Sequence, residues 1–145
     1  MADDPRSGKG TVTKTLELPV SAEDVWEVVG DYNGLARWNA GVARSDLTNE
    51  GKRRTLTLKV GGSVVEDLVD YDWRGRRYTY SIVESAIPVT RHKATISVIE
   101  RGPNMSTVHW TCEFQPKGVD VPTVAGIFTG IFEGGLKQLE QMFRK

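Results

Sequence analysis

The clearest candidate for a chemical role in this sequence is His92, in the segment RHKATISVIE at residues 91–100. Polar and hydrophobic residues alternate through this segment, which is typical of a β-strand with one buried face. His92 has the same parity as Ala94, Ile96 and Val98, so we expect it to face the core or a cavity. There it could be a buried histidine with satisfied hydrogen bonds, a polar anchor for a ligand, or a proton-transfer group.

The preceding strand-like segment adds two phenol groups on the face that is expected to be buried. Tyr78, Tyr80 and Ile82 alternate there with polar residues. The two phenols could be packing residues with satisfied hydroxyl groups, or the polar points of an otherwise apolar pocket.

Glu66 would form an acid–base pair with His92 if both side chains faced the same cavity. Its segment, SVVEDLVDYDW, has an ambiguous parity. The pattern alone favours an inner face made of Val65, Asp67, Val69 and Tyr71 over one made of Val64, Glu66 and Leu68. If Glu66 faces inward instead, desolvation would raise the pKa of its carboxyl group.

Other residues give no sign of a metal, nucleotide or covalent site. In the segment TVHWTCEF we expect Trp110 and Cys112 to face inward, so that Cys112 is a core residue and His109 faces the opposite way. No glycine-rich phosphate loop follows a strand, and the basic runs at 52–54 and 74–77 fall at hairpins, where solvated charge is expected. We therefore expect no cofactor, no metal and no nucleic-acid partner.

The composition predicts a cytoplasmic protein whose partner is either neutral or recognised by a local feature of the surface. The 19 basic and 19 acidic residues give a formal net charge of zero, so no overall field attracts nucleic acid or anionic membrane. A single cysteine, Cys112, fits a reducing compartment. The first ten residues lack the apolar run of a signal peptide, and no apolar run is long enough to span a membrane. We expect residues 1–10 to be a disordered tail.

These residues must be positioned by an α+β domain that begins near residue 11. An alternating segment at 11–18 predicts the first strand, and Ser21 with Asp24 marks the start of a short helix that ends near Gly30. Six further strands are expected at about 42–48, 53–60, 63–73, 76–84, 91–100 and 106–115. Short turns separate them, which predicts an antiparallel meander.

A long amphipathic helix is expected from Pro122 to the end of the chain. Its first half contains Gly126, Gly130 and Gly134, which lie away from the apolar stripe and cost about 1 kcal/mol each relative to alanine. We hypothesise that this half loosens to admit a ligand. The apolar stripe is expected to contain Val121, Val124, Phe128, Ile131, Phe132, Leu139, Met142 and Phe143.

Five features of the chain occur in a characteristic order: SAEDVWEVVGDYNGLARWNAGV, the Glu-x-Leu of VVEDLVDYD, RRYTYSIVES, TVHWTCEFQPKG and the glycine-bearing last helix. With the opening strand, they resemble the polyketide cyclase/dehydrase branch of the START-like, or SRPBCC, superfamily. The resemblance extends over about residues 11–144. One departure is Ala40, where the family has a proline after Trp-Asn.

The resemblance implies a helix-grip fold for residues 11–145. A seven-stranded curved antiparallel sheet would surround the C-terminal helix, with two short helices after the first strand and an apolar cavity inside. Such a protein would bind a hydrophobic molecule such as a polyketide, lipid or sterol. It would either promote aldol-type cyclisation or dehydration, or act as a carrier or sensor without catalysis.

The resemblance also implies which residues meet the ligand. Glu66 and His92 would face it, which opposes the parity favoured by the pattern. If the protein is an enzyme, we expect these two residues to transfer protons and Tyr80 to donate a hydrogen bond to a developing enolate. Trp38 would be a plug or wall of the cavity, and residues 85–89 would lie at its mouth. The other expected contacts are Leu68, Tyr78, Ile82, Ile87, Pro88, Val89, Ile96, Trp110, Val124, Phe128, Ile131 and Phe132.

Overall fold

A computed structural model describes residues 8–144, and these form one seven-stranded antiparallel sheet with three α-helices. The prediction of a tail falls mostly on residues 1–7, which lie outside the described residues. The strands are β1 (Gly10–Leu18), β2 (Val42–Thr48), β3 (Arg53–Leu58), β4 (Ser63–Asp72), β5 (Arg77–Glu84), β6 (Val89–Gly102) and β7 (Met105–Pro116). The helices are α1 (Ala22–Val29), α2 (Leu35–Trp38) and α3 (Val121–Phe143).

The strand order across the sheet is β1-β7-β6-β5-β4-β3-β2. Strands β2 to β7 are joined to their sequence neighbours by short turns, as expected, whereas β1 pairs with β7. The helix-grip fold is therefore confirmed, with α1 and α2 in the connection between the two edge strands and α3 against β1 and β7.

Local signals place the helix ends. The Ser21 hydroxyl accepts a hydrogen bond from the Asp24 backbone N–H at 3.2 Å, which caps α1. The Asp120 carboxylate accepts one from the Thr123 N–H at 3.0 Å, and Pro122 occupies the first turn of α3. A single 3-10 turn, Tyr32–Gly34, leads directly into α2.

The strand β4 changes its inward parity part of the way along, which resolves the ambiguity in its sequence. Val64 and Glu66 are buried, so the pattern-based choice of Val65 and Asp67 is wrong. A bulge between Leu68 and Asp70 then adds one residue, Val69, to this strand. Because one extra residue reverses the alternation, Tyr71 lies against α1, where its hydroxyl donates to the Gly30 carbonyl at 2.7 Å.

Trp38 lies in the core. Its side chain is fully buried and packs edge-on against Trp110 with ring centroids 5.3 Å apart. The backbone of Gly135 in α3 approaches both rings closely, since an added methyl group would lie 3.3 Å from Trp38 and 3.0 Å from Trp110. This contact attaches α2 to the second half of α3.

Candidate functional site

A cavity of about 660 Å³ lies between α3 and the concave face of the sheet. Its walls are mostly aliphatic and aromatic, and they come from α2 and the segment after it, β2 to β7, α3 and the turns at 60–62 and 86–87. Among the described residues, two ionisable groups other than phenols line it, Glu66 and His92. Both are buried at one end, together with the phenol of Tyr80. The cavity is thus apolar with one polar end, the usual composition of a small-molecule site.

Glu66 is held at this polar end by Arg54 on the neighbouring strand β3. The two residues are opposite each other in the β3–β4 register. The Arg54 Nε donates to Glu66 Oε1 at 2.8 Å, and Nη2 lies 2.7 Å from the same oxygen. Oε2 has no hydrogen-bond partner among residues 8–144, so it is the carboxylate oxygen that remains available to a ligand.

The Arg54 guanidinium is itself enclosed by protein. Only 1% of its side chain is exposed, and Nη1 donates to the Tyr32 backbone carbonyl. Its carbon Cζ lies over the rings of Tyr32 at 4.1 Å and Tyr80 at 5.0 Å. These contacts hold the guanidinium group in place and take the place of water around it. Burial raises the pKa of Glu66, and Arg54 opposes that rise by stabilising the carboxylate.

His92 is a neutral hydrogen-bond donor in this structure. Its Nδ1 accepts a hydrogen bond from the Ile82 backbone N–H at 3.0 Å, so the proton of the neutral ring must be on Nε2. Burial lowers the pKa of His92 to about 4, which keeps the ring uncharged at neutral pH. Because His92 lines the cavity and Nε2 has no partner within residues 8–144, an acceptor on a ligand can bind there.

The Tyr80 hydroxyl is similarly oriented. It accepts a hydrogen bond from Trp110 Nε1 at 3.0 Å, which leaves its own proton free to be donated. Burial raises the pKa of Tyr80 well above its usual value, so the phenol stays protonated. The polar end therefore offers two donors, on His92 and Tyr80, and one acceptor, on Glu66.

Backbone irregularities lie beside both ionisable groups. The β4–β5 register shifts between Val65 and Glu66, and the β5–β6–β7 region carries a bulge between Thr90 and Lys93. Arg91, inside that bulge, has a φ of 51°. Bulges are frequent beside functional sites because they redirect a side chain without ending the strand.

The structure brings most of the predicted site residues to this cavity. Those that line it are Glu66, Tyr80, Ile82, Ile87, His92, Trp110, Phe128, Ile131 and Phe132. The remaining predicted residues lie outside its lining: Trp38, Tyr78, Ile96 and Val124 are buried in the core, and Leu68, Pro88 and Val89 are half-buried.

The sequence interpretation missed Arg54, which it treated as one of several solvated basic residues at a hairpin. That assignment is wrong, because Arg54 is buried and is paired with Glu66. A signal was present, since Arg54 alternates with Thr55 and has the same parity as Leu56 and Leu58. Leu35, Asn39, Leu56 and Val64 also line the cavity and were not predicted.

Within residues 8–144, no group of three or more histidine, cysteine, aspartate or glutamate residues is placed to hold a metal ion. In the same range no helix is long and apolar enough to cross a membrane.

Comparisons with solved structures find close similarity in fold. XoxI from Bacillus cereus is 36% identical with a TM-score of 0.90, over 92% of this chain and 95% of that one. A START superfamily protein from Mycobacterium smegmatis is 19% identical with a TM-score of 0.77, over 94% and 97% of the two chains. Norcoclaurine synthase from Thalictrum flavum, solved with dopamine and hydroxybenzaldehyde, is 18% identical with a TM-score of 0.72, over 94% and 87%.

No protein among the curated ones matches this chain. A family model described as polyketide cyclase / dehydrase and lipid transport matches residues 9–144, nearly the whole sequence. The similarity to the START superfamily protein agrees with the helices and sheet described above. The chain therefore belongs to the polyketide cyclase/dehydrase and lipid-transport family and has a START-like fold.

Proposed function

We propose that this protein encloses an uncharged, largely apolar molecule that carries a carbonyl group, and promotes its dehydration or aldol-type closure. The observation that supports the proposal is the pairing of two free donors with one free carboxylate oxygen at the buried end of an apolar cavity. A carbonyl oxygen fits the donors of His92 and Tyr80. An acidic C–H or a hydroxyl group beside that carbonyl fits Glu66.

For a β-hydroxy ketone, the dehydration balances with these three side chains alone. Glu66 removes the proton from the carbon between the carbonyl and the hydroxyl-bearing carbon, and the electron pair moves to the carbonyl oxygen. His92 Nε2–H and Tyr80 O–H stabilise the resulting enolate. The enolate then expels the hydroxyl group, which takes the proton back from Glu66, so that an enone and water leave and the carboxylate is restored.

Burial raises the pKa of Glu66, which makes its carboxylate a stronger base than it is in water, and Arg54 opposes that rise by stabilising the ionised form. The apolar walls exclude water from the enolate and hold the reacting carbons together, which contributes several kcal/mol in well-oriented reactions.

The test uses the phenyl-substituted β-hydroxy ketone that forms from benzaldehyde and acetone, with its conversion to the conjugated enone followed by ultraviolet absorbance. We expect Glu66→Gln to lower turnover by about a hundredfold or more while binding is retained. Asp67→Asn is the matched control, because Asp67 is the adjacent residue but lies outside the cavity, where its Oδ1 accepts a hydrogen bond from Arg53 Nε at 2.6 Å. Equal turnover in wild type and Glu66→Gln would refute the catalytic proposal.

A carrier or sensor without catalysis is the second candidate function. It is favoured by one observation, the direct ion pair between Arg54 and Glu66, since a carboxylate held by a guanidinium is a weaker base. Proton exchange separates the two candidates. In deuterated water, an enzyme should accelerate exchange of the protons beside the carbonyl of a bound ketone, and this acceleration should depend on Glu66. With a carrier, these protons should exchange no faster than those of the free ketone.

A further inference from the structure

The cavity has a buried end and an open end that differ in chemistry. Glu66, His92 and Tyr80 at the buried end are each at most 6% exposed. At the open end Val60 is 93% exposed, and Ile127 and Ile131 of α3 are 37% and 38% exposed. All six line the same cavity. The polar groups are therefore furthest from solvent and the apolar groups are nearest to it.

One edge of α3 at the open end has no side chains. Gly126, Gly130 and Gly134 line the cavity at intervals of four residues, so they lie along one edge of the helix over about 12 Å. A methyl group added at any of them would meet no atom within 4 Å. Packing thus gives no reason for glycine, which is among the least favourable residues in a helix interior.

A second, independent observation points to a ligand in this cavity. His92 is 5% exposed, its Nε2 has no hydrogen-bond partner within the described residues, and its ring lines the cavity. The Nε2–H group of the neutral ring therefore needs an acceptor from the cavity, and a bound molecule can supply it. That molecule must have its polar part at His92 and its apolar part toward the glycine edge.

We infer that the ligand lies with its carbonyl end buried and its apolar tail along the glycine edge of α3, and that Gly126, Gly130 and Gly134 determine how long and wide that tail can be. The inference rests on the proposed function, because it assumes that the carbonyl binds at the polar end. It adds the substrate class: an elongated molecule whose polar group is at one end and whose tail extends to the opening.

The test measures the affinity of methyl ketones with short, medium and long straight alkyl chains by calorimetry. For wild type we expect the affinity to rise by up to about fourfold for each methylene group that becomes buried. Gly130→Leu places a branched side chain in the opening, and we expect it to weaken the long-chain ketone by about tenfold or more while the short-chain ketone changes by less than about twofold. Gln141→Leu is the matched control, since Gln141 is exposed on the same helix and does not line the cavity.

A second variant separates this inference from the proposed function. His92→Phe should weaken all chain lengths by the same factor, because the carbonyl is common to them. Suppose that His92→Phe has that effect, but that Gly130→Leu either weakens short and long ketones equally or weakens neither. The glycine-edge inference is then refuted and the proposed function stands. If no ketone depends on His92, the proposed function fails, and the orientation fails with it.

Discussion

The residue with the largest consequence for this site is Arg54. It contacts the Glu66 carboxylate, the carbonyl of Tyr32 and the ring faces of Tyr32 and Tyr80. It therefore connects the polar end of the cavity to the turn that precedes α2. Arg53, the next residue, forms a similar ion pair with Asp67 on the exposed face of the same two strands. The two pairs have the same chemistry in opposite environments.

Removing Arg54 should destabilise the protein strongly. We expect Arg54→Met to lower the free energy of unfolding by about 3–5 kcal/mol, because it leaves the buried Glu66 without its partner. Urea denaturation measures the effect. The double variant Arg54→Met, Glu66→Leu should recover most of the loss, since neither charge then remains buried.

Arg53→Met is the control for this prediction. It should change the free energy of unfolding by no more than about 1 kcal/mol, because ion pairs that solvent reaches contribute little. Equal losses for Arg53→Met and Arg54→Met would contradict the role assigned to the buried pair.

His92 should make the protein less stable in mild acid. Its pKa falls from an ordinary value of 6.5 to about 4 on folding because the ring is buried. Between these values the unfolded chain binds the proton and the folded protein does not, so stability is lost as the pH falls from about 6.5 through 4. The full loss is about 3 kcal/mol.

The measurement is the free energy of unfolding from pH 7 to pH 4.5 in wild type and in His92→Asn. The asparagine oxygen can still accept the hydrogen bond from the Ile82 N–H but does not titrate. We expect the variant to lose distinctly less stability over this range. Parallel curves for the two proteins would show that His92 does not titrate in this way.

At the scale of elements, α3 has two halves with different packing. The second half is tightly held, with Leu136 and Leu139 buried and Gly135 against the rings of Trp38 and Trp110. The first half has Phe128 and Phe132 against His92 and Trp110, with ring centroids 5.1 and 4.2 Å apart. Its opposite edge is open. The helix is thus anchored at one end and borders the cavity at the other.

Alanine substitutions in the two halves of α3 should change the free energy of unfolding in opposite directions. Gly126→Ala should raise the free energy of unfolding by up to about 1 kcal/mol, because the methyl group meets nothing and alanine favours the helix. Gly135→Ala should lower it by about 1–3 kcal/mol, since the methyl group would crowd two packed indole rings. Thermal and urea unfolding of both variants test the pair, and stabilisation by Gly135→Ala would contradict the close approach of the helix and α2.

At the scale of the whole molecule, the cavity lies between elements on opposite sides of the fold. The helix α3 packs on β1 and β7 at one side of the sheet, while β3, β4 and β5 form the far wall of the cavity. A molecule bound between them would join the two sides. Ligand binding and folding are therefore expected to be coupled.

Hydrogen exchange should detect this coupling in α3. Without ligand we expect amides at 124–134 to exchange faster than those at 135–142, because the first half contains three glycines and borders the cavity. A saturating long-chain methyl ketone should slow the first half selectively. At about 100 times its Kd it should also add about 2.7 kcal/mol to the free energy of unfolding. Equal protection along α3, with and without the ketone, would contradict a loosened first half.

The expectations that were confirmed are those that depend on local periodicity. The ends of the seven strands were predicted to within two residues of those observed. The inward orientation of His92, Tyr78, Tyr80 and Trp110 followed from alternation. Glu66 could not be placed by alternation, because a bulge reverses the parity of β4 and no simple pattern marks a bulge. Its inward orientation followed only from the family resemblance.

By itself the sequence determined the elements, because strand and helix periods, caps and turns are properties of neighbouring residues. Only the tertiary structure decided which polar side chains meet. Arg54 and Glu66 are twelve residues apart and become a buried ion pair through strand pairing. Nδ1 of His92 accepts its hydrogen bond from the backbone N–H of Ile82, which lies on another strand. The size and opening of the cavity were decided there too, because empty space depends on how α3 lies across the sheet and leaves no periodic signal in the chain.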